Sequence, residues 1–283
     1  MLTKNTSYKL LDCGNHKKVE IFGDYKLIRP CPQALWAPFD PQCWEGAHSE
    51  YLKTEGEKGR WKKVGAKDKK NSSGIPSNWQ IQAQGLEWKV EPNEFGNLGV
   101  FTEHWIYTDW LLNNFNPSST ILNLFSYTGS SCIALVKNGY KVTVVDSSRA
   151  AMDDYVYNLG LNQIDRTGQR LILEDCQKFI SKEQRRGKLY DSIMIDAPSF
   201  GRGSKKEVFK IEDHLKELLI TCKKLLSKKG KLVLTLHSPR FTPQLLDIFV
   251  SSIFKGRQVV SQEILNPCES GINLPSGFLV KVS

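Results

Sequence analysis

The 283-residue chain has no Cys-x-x-Cys pair, no run of 18 apolar residues and no Gly-x-Gly-x-x-Gly fingerprint. Its seven cysteines are odd in number and scattered, which argues against both a zinc ribbon and a disulfide framework, so no metal is expected. Without a long apolar run no membrane-spanning helix is expected. The opening "MLTKNTSYKLLDCGNHKK" lacks the apolar stretch of a secretory leader. These absences together give the expectation of a reducing, cytoplasmic, soluble protein. No internal repeat is visible, so a solenoid is not expected either.

What the chain does have is positive charge and aromatic weight. Lys and Arg number 39 against 30 Asp and Glu, a formal charge of +9 with a pI near 9.1. Such a balance favours a polyanionic partner through phosphate neutralisation and counterion release. Residues 1–92 hold five of the seven tryptophans and two alternating patterns, "KVEIFGDYKLIR" and "WQIQAQGLEWKV". Both predict β-hairpins. The lysine- and glycine-rich stretch between them, around 53–70, is expected to be an exposed loop or hairpin. Most of the aromatics there are expected to form the core of a small β-rich domain, with part of it as substrate wall or RNA contact.

From about residue 118, within a second domain expected over 93–283, the rhythm changes to strand and helix in alternation. "ILNLF", "KVTVV", "RLIL", "DSIMI" and "KLVLTL" predict buried strands, with "RQVVSQEIL" and "GFLVKV" adding two more. The helix after "DSIMI" is expected over about 211–226, with "KKLLSKKGK" as its cationic end. This pattern predicts an α/β domain with a mainly parallel seven-stranded sheet covered by helices on both faces. Ligands of such sheets sit at the carboxyl ends of the strands, where chemistry-bearing residues gather. The turn "NLFSYTGSS" has the single Gly129, which suits a ligand that brushes the backbone without a diphosphate. The second strand ends in Asp146, apt for a ribose diol. The third ends in Glu174-Asp175-Cys176, where a side-chain oxygen accepts from an adenine amino group and the thiol packs on the ring. Ribose and adenine without a diphosphate point to S-adenosylmethionine.

"LNLFSYTGSSCIAL", "VTVVDSS", "EDCQKF" and "YDSIMIDAPSFGRG" resemble the successive motifs of the Rossmann-like class I methyltransferases. "FGNLGVFTEHWIYTDWL", "YKLIRPCPQALW" and "LPSGFLVKV" narrow this to a resemblance with the bacterial 23S ribosomal RNA large-subunit methyltransferases that carry an Asp-Pro-Pro-x-Phe acceptor motif. The likeness is to their short branch without a PUA module. It implies Tyr127, Thr128 and Gly129 at the methionine portion of the cofactor, Asp146 on the ribose, and Asp175 with Cys176 at the adenine. Phe101 and Glu103 belong to a segment that closes over it. The acceptor pocket is then Asp196, Pro198 and Phe200, the acid and nearby carbonyls accepting from a flat base while Phe200 stacks on it. Ala197 stands where the family has a second proline, which loosens the turn. Arg202, Lys205 and Lys206 follow directly and are expected to grip phosphates beside the target base.

C5 methylation of a pyrimidine requires a cysteine nucleophile, which some relatives place just after the fifth strand. This chain has His237 and Ser238 there, so a nitrogen acceptor in RNA, ribosomal RNA first, is expected. His237 reads as a loop histidine without an assigned role, with contact to the substrate base as the alternative. Two other readings stay open: a methyltransferase for a protein or small molecule, and a non-catalytic RNA-binding or assembly factor retaining the fold. The missing glycines disfavour a nicotinamide oxidoreductase.

Overall fold

The computed structural model describes residues 7–54, 58–65, 73–202 and 208–283, without the side chains of 200–202 and 208–209. Two compact units emerge, Met1–Thr102 with Leu265–Pro275, and Glu103–Ile264 with Ser276–Ser283. The first unit therefore borrows a short stretch from late in the chain.

In the first unit, β1 (Tyr8–Gly14), β2 (Lys17–Phe22), β3 (Tyr25–Pro30), β4 (Ser49–Lys53) and β5 (Gly59–Lys63) form one sheet in chain order. All its pairs are antiparallel except β3 with β4. Both predicted hairpins form, the second from β6 (Trp79–Ala83) and β7 (Leu86–Val90). The lysine-rich stretch begins in the β4–β5 hairpin, and its residues 55–57 and 66–70 lie outside the described residues. Every indole N–H of this unit is tied internally. Trp36 donates to the Cys13 carbonyl, Trp44 to Asp12 Oδ2, Trp61 to Asn93, Trp79 to Phe22 and Trp88 to Ala83, all within 2.9–3.1 Å. These side chains therefore work as struts of the small β unit.

The second unit is built on β8 (Thr120–Leu124), β9 (Lys141–Asp146), β10 (Arg170–Leu173), β11 (Tyr190–Ala197), β12 (Phe200–Arg202), β13 (Val208–Lys210), β14 (Leu226–Leu236) and the greater part of β15 (Val259–Pro267) and β16 (Asn273–Val282), whose residues 265–267 and 273–275 count with the first unit. Its helices are α1 (Thr108–Asn114), α2 (Ile133–Lys137), α3 (Arg149–Leu161), α4 (Cys176–Arg185), α5 (Ile211–Leu225) and α6 (Pro243–Ile253). Seven strands form one sheet in the order β10-β9-β8-β11-β14-β16-β15. The first five run parallel, and β16 runs antiparallel to β14. After β10 the chain returns to the other side of β8, so the order reverses between β8 and β11. Such a switch point opens a crevice at the carboxyl ends of the two strands.

Two local differences from the sequence reading have simple causes. Strand β14 begins directly at Leu226, so the Lys228-Lys229 stretch lies on the strand and only Lys223 and Lys224 occupy the last turn of α5. Leu225 and Leu226 are both buried and anchor this abrupt change. Residues 200–202 are not an open turn but pair antiparallel with 208–210, Phe200 opposite Lys210.

A buried carboxylate ties the far side of this sheet. Glu183 on α4 accepts from Tyr190 Oη at 2.7 Å, Arg170 at 3.0 Å and Arg186 at 2.8 Å. Burial opposes its charge, but Arg170, Tyr190 and Arg186 overcome this and hold its pKa down to about 2. Its stabilisation is thus complete above the unfolded value near ~4.3 and fades as pH falls through about 2. Glu183→Ala removes the carboxylate that accepts from the buried Tyr190 hydroxyl and from two arginines, and a loss of about 2–3 kcal/mol is expected in urea denaturation at neutral pH.

Candidate active site

The expected site residues of the second unit collect at the carboxyl ends of the parallel strands. The turn after β8 is built from unusual backbone: Phe125 (φ +57°) and Tyr127 (φ +48°) are left-handed although neither is glycine. Such conformations cost of order 1–3 kcal/mol each and concentrate where a site needs a particular shape. Asp146, at the end of β9, holds this turn by accepting the Tyr127 N–H at Oδ2 (2.9 Å) and the Ser148 N–H at Oδ1 (2.8 Å). The Ser147 N–H adds a third backbone interaction, so the carboxylate is fixed in place with part of its acceptor capacity left over. Burial pushes its carboxyl pKa up, against the opposing pull of those backbone N–H groups.

Thr128 is buried, and its carbonyl accepts from Asn158 Nδ2 at 3.1 Å. Gly129 has φ +93°, and a Cβ there would lie 2.6 Å from Tyr155 Cδ2 and 2.8 Å from Ile133 Cδ1. Glycine is thus required both by the backbone and by close packing of α2 and α3. Gly129→Ala is expected to lower stability by about 1–3 kcal/mol and to weaken cofactor binding, measured by denaturation and calorimetry on the same preparation.

At the end of β10, Asp175 caps α4 by accepting the Lys178 N–H at 2.9 Å and is otherwise exposed. Its neighbour Glu174 pairs with Lys182. Cys176 is buried, and its sulfur accepts the Phe125 N–H at 3.3 Å and faces the Val145 carbonyl at 3.7 Å. The thiol therefore braces the β8 turn from beneath. Phe101 belongs to the first unit, just before its boundary at Thr102.

The acceptor motif sits at the end of β11. Ala197 stays in register opposite Leu236, so the strand persists to the motif even without the family proline. Pro198 is exposed beyond it. The Phe200 and Arg202 side chains, and all of Lys205 and Lys206, lie outside what the structure describes.

Asp196 is surrounded by groups that the sequence reading did not assemble. His104, on the short helical segment Thr102–Tyr107, places Nε2 3.0 Å from Asp196 Oδ2. His237, at the end of β14, places Nε2 3.3 Å from Oδ1. Thr235 donates its hydroxyl to that same Oδ1. Burial works against the Asp196 charge, yet the two histidines hold its carboxyl well below the usual carboxylate range. For His237, burial alone would push the imidazole down. The bond to Asp196, its charge, the charge of Glu103 and the Ser276 carbonyl reverse this and lift the pKa to about 9. Glu103 lies close by, its Oε1 4.0 Å from His237 Nδ1.

The correction to the sequence reading is that His237 is no idle loop residue. Its signal was available: a polar residue directly after a buried parallel strand, beside the switch point. His104 lay in the quoted "FTEHW" but had no strand end to mark it. The donor atoms of His104, Asp196 and His237 lie within 4.8 Å of one another. Each imidazole faces a different carboxylate oxygen, His104 Oδ2 and His237 Oδ1.

The profile of S-adenosylmethionine-dependent methyltransferases matches residues 59–268, about three quarters of the chain. The chain belongs to that family. Its cofactor is S-adenosylmethionine, and the residues present are compatible with it: a fixed carboxylate at the end of β9, a polar strand end at β10, and a cramped single-glycine turn at β8.

A crystal structure titled as the SAM-dependent methyltransferase from Agrobacterium tumefaciens is 31% identical, with a TM-score of 0.87 over 98% of this chain and 90% of that one. The solved SMU.776, complexed with SAH, shares the fold at TM-score 0.77 and 19% identity, over 99% of this chain and 76% of that one. Among named proteins, ribosomal RNA large subunit methyltransferase K/L of Pseudoalteromonas translucida is 31% identical over 156 residues, 54% of this chain and 21% of that protein. YwbD of Bacillus subtilis, provisionally named a ribosomal RNA large subunit methyltransferase, is 27% identical over 176 residues, 62% of this chain and 44% of that protein. The chain thus spans less than half the length of these two methyltransferases. No helix among the described residues is long and apolar enough to cross a membrane.

Proposed function

We propose that the protein transfers the methyl group of S-adenosylmethionine to a nucleobase nitrogen in RNA, ribosomal RNA being the favoured substrate, in the cytoplasm. The observation that carries this reading is the placing of two carboxylates at the carboxyl ends of the parallel strands, Asp146 on β9 and Asp196 on β11 beside the switch point. The names of the relatives and the +9 charge support RNA. S-adenosylmethionine supplies a methyl carbon on a sulfonium, a leaving group that needs no activation. The chain's own work is to hold an acceptor in line and keep water out.

In this reading Asp146 takes the ribose hydroxyls, Asp175 faces the adenine, and Tyr127, Thr128 and Gly129 shape the methionine end, with Glu103 and Cys176 completing the cofactor surroundings within the second unit. Asp196 accepts from the target base, Pro198 turns the chain away, and Phe200 stacks on the ring. Arg202, Lys205 and Lys206 neutralise neighbouring phosphates. The acceptor nitrogen uses its lone pair to bond the methyl carbon while the carbon–sulfur pair stays on sulfur. Any N–H proton then leaves to solvent.

The cysteines support nitrogen over pyrimidine C5. The three in this unit, Cys132, Cys176 and Cys222, are all buried. Burial pushes the Cys132 thiol up to about 12 and raises Cys176 and Cys222 as well. None is placed as a thiolate nucleophile. The test is transfer of a labelled methyl group from S-adenosylmethionine into fractionated ribosomal RNA, ribosomal protein and small molecules from cells lacking the gene. Label in RNA, with RNA affinity falling steeply with salt, is expected. Label confined to protein or small molecules would replace this reading with the second one, and cofactor binding without any transfer would favour an assembly factor.

A further inference from the structure

We infer that His104 and His237 are positioning residues that clamp Asp196 as a permanent anion, with His237 working as a doubly protonated imidazolium. The inference rests on the acceptor role of Asp196 proposed above, and it adds what kind of acceptor the clamp admits.

The geometry dictates the protons. His237 Nδ1 lies 3.1 Å from the Ser276 carbonyl oxygen, which can only accept, so Nδ1 carries a hydrogen. Nε2 faces the ionised Asp196 Oδ1, which also only accepts, so Nε2 carries one too. An imidazole with hydrogens on both nitrogens is a cation. The groups facing it from every side agree: Asp196 from β11, Glu103 from the segment before α1, and the Ser276 carbonyl from β16. The other imidazole nearby, His104, has its ring centre 6.4 Å away.

The ring has a built seat. Gly277 lies on β16 with φ +122°, and a Cβ there would come 2.8 Å from His237 Nδ1 and 2.7 Å from the Leu236 carbonyl. Any other residue at 277 would push the ring off Asp196. The tail motif "LPSGFLVKV" thus contributes a carbonyl and a vacant Cβ position to the acceptor site. His104 is fixed in its turn by an edge contact with Tyr107, ring centres 5.9 Å apart.

A carboxylate offers about four lone-pair positions. Thr235 and His237 occupy both on Oδ1, and His104 Nε2 stands 3.0 Å from Oδ2. Oδ1 is thereby filled, and Oδ2 is the oxygen left to accept an N–H from the acceptor. With these donors and imidazoles around it, Asp196 does not take up a proton. The acceptor class that follows is a nitrogen already nucleophilic when bound, such as an exocyclic amine or an unprotonated ring nitrogen. An imide-type nitrogen, which must first lose its proton, is disfavoured.

The test uses nitrogen-15 histidine-labelled full-length protein at pH 7.5 without substrate. The His237 resonances, identified by their absence in His237→Gln, are expected to show both ring nitrogens protonated up to about pH 9, and to revert toward an ordinary histidine titration in Asp196→Asn. In parallel, His237→Gln and His104→Gln are expected to keep cofactor affinity within about threefold while kcat falls about 10²-fold, the scale of a displaced reacting group. Wild-type activity should decline above about pH 9, a limb absent in His237→Gln. A single neutral tautomer of His237 at pH 7.5 would overturn the inference, as would full kcat in both glutamine variants. The resonance result does not depend on which acceptor is methylated, so failure of the RNA reading and failure of the clamp are distinguishable.

Discussion

Asp196→Asn is expected to lower kcat by about 10²- to 10³-fold while cofactor affinity changes only a few-fold. The isosteric amide must present its NH₂ to one side of a site where every neighbour donates. On one rotamer it opposes Thr235 and His237, on the other His104. The variant also removes the negative charge that balances the His237 cation. During transfer, positive charge passes from sulfur to the acceptor nitrogen, so a fixed anion at the end of β11 is worth most in the transition state. The check is single-turnover transfer beside calorimetric cofactor binding. Parallel loss of both would mean that Asp196 belongs to the cofactor site.

The second large effect concerns the cofactor. Asp146→Ala is expected to weaken S-adenosylmethionine binding by about 10²-fold or more, since two hydrogen bonds to a charged acceptor vanish together. The same change releases the Tyr127 and Ser148 N–H groups that hold the left-handed turn after β8. A lower melting temperature should accompany the loss. Burial pushes this carboxyl up, and only its ionised form accepts from both ribose hydroxyls. Affinity should therefore weaken on acidification sooner than an ordinary exposed aspartate would allow. Calorimetry across pH checks both points, and unchanged affinity in Asp146→Ala would remove Asp146 from the cofactor site.

Much of this was legible in the sequence because strand ends in a parallel sheet are punctuated. Asp146, Asp175 and Asp196 each follow an apolar run, and each stands at the carboxyl end of its strand. The seven strands were legible for the same reason, as short β-branched runs between helical patterns. Cys176 shows the limit of that reasoning. Its place after the strand suggested packing on the adenine ring; what the strand pattern did not show is that helix α4 begins there and sets the thiol against the Phe125 N–H of the β8 turn. His104 was harder still, since a one-turn helical segment has no periodicity to reveal which side chain points at a distant strand. Its contact with Asp196 spans 92 positions of sequence, and only the folded sheet brings the two together. Gly277 likewise looks like an ordinary strand glycine until the His237 ring is seen filling its missing Cβ position.

The most direct test of the central proposal is nucleoside mass spectrometry of ribosomal RNA from cells lacking the gene, incubated with the purified protein and S-adenosylmethionine bearing a deuterated methyl group. One N-methylated nucleoside carrying the full deuterium label, missing when Asp196→Asn replaces the wild type, is the expected result. A labelled 5-methylpyrimidine, or cofactor turnover with no label in RNA, would contradict it.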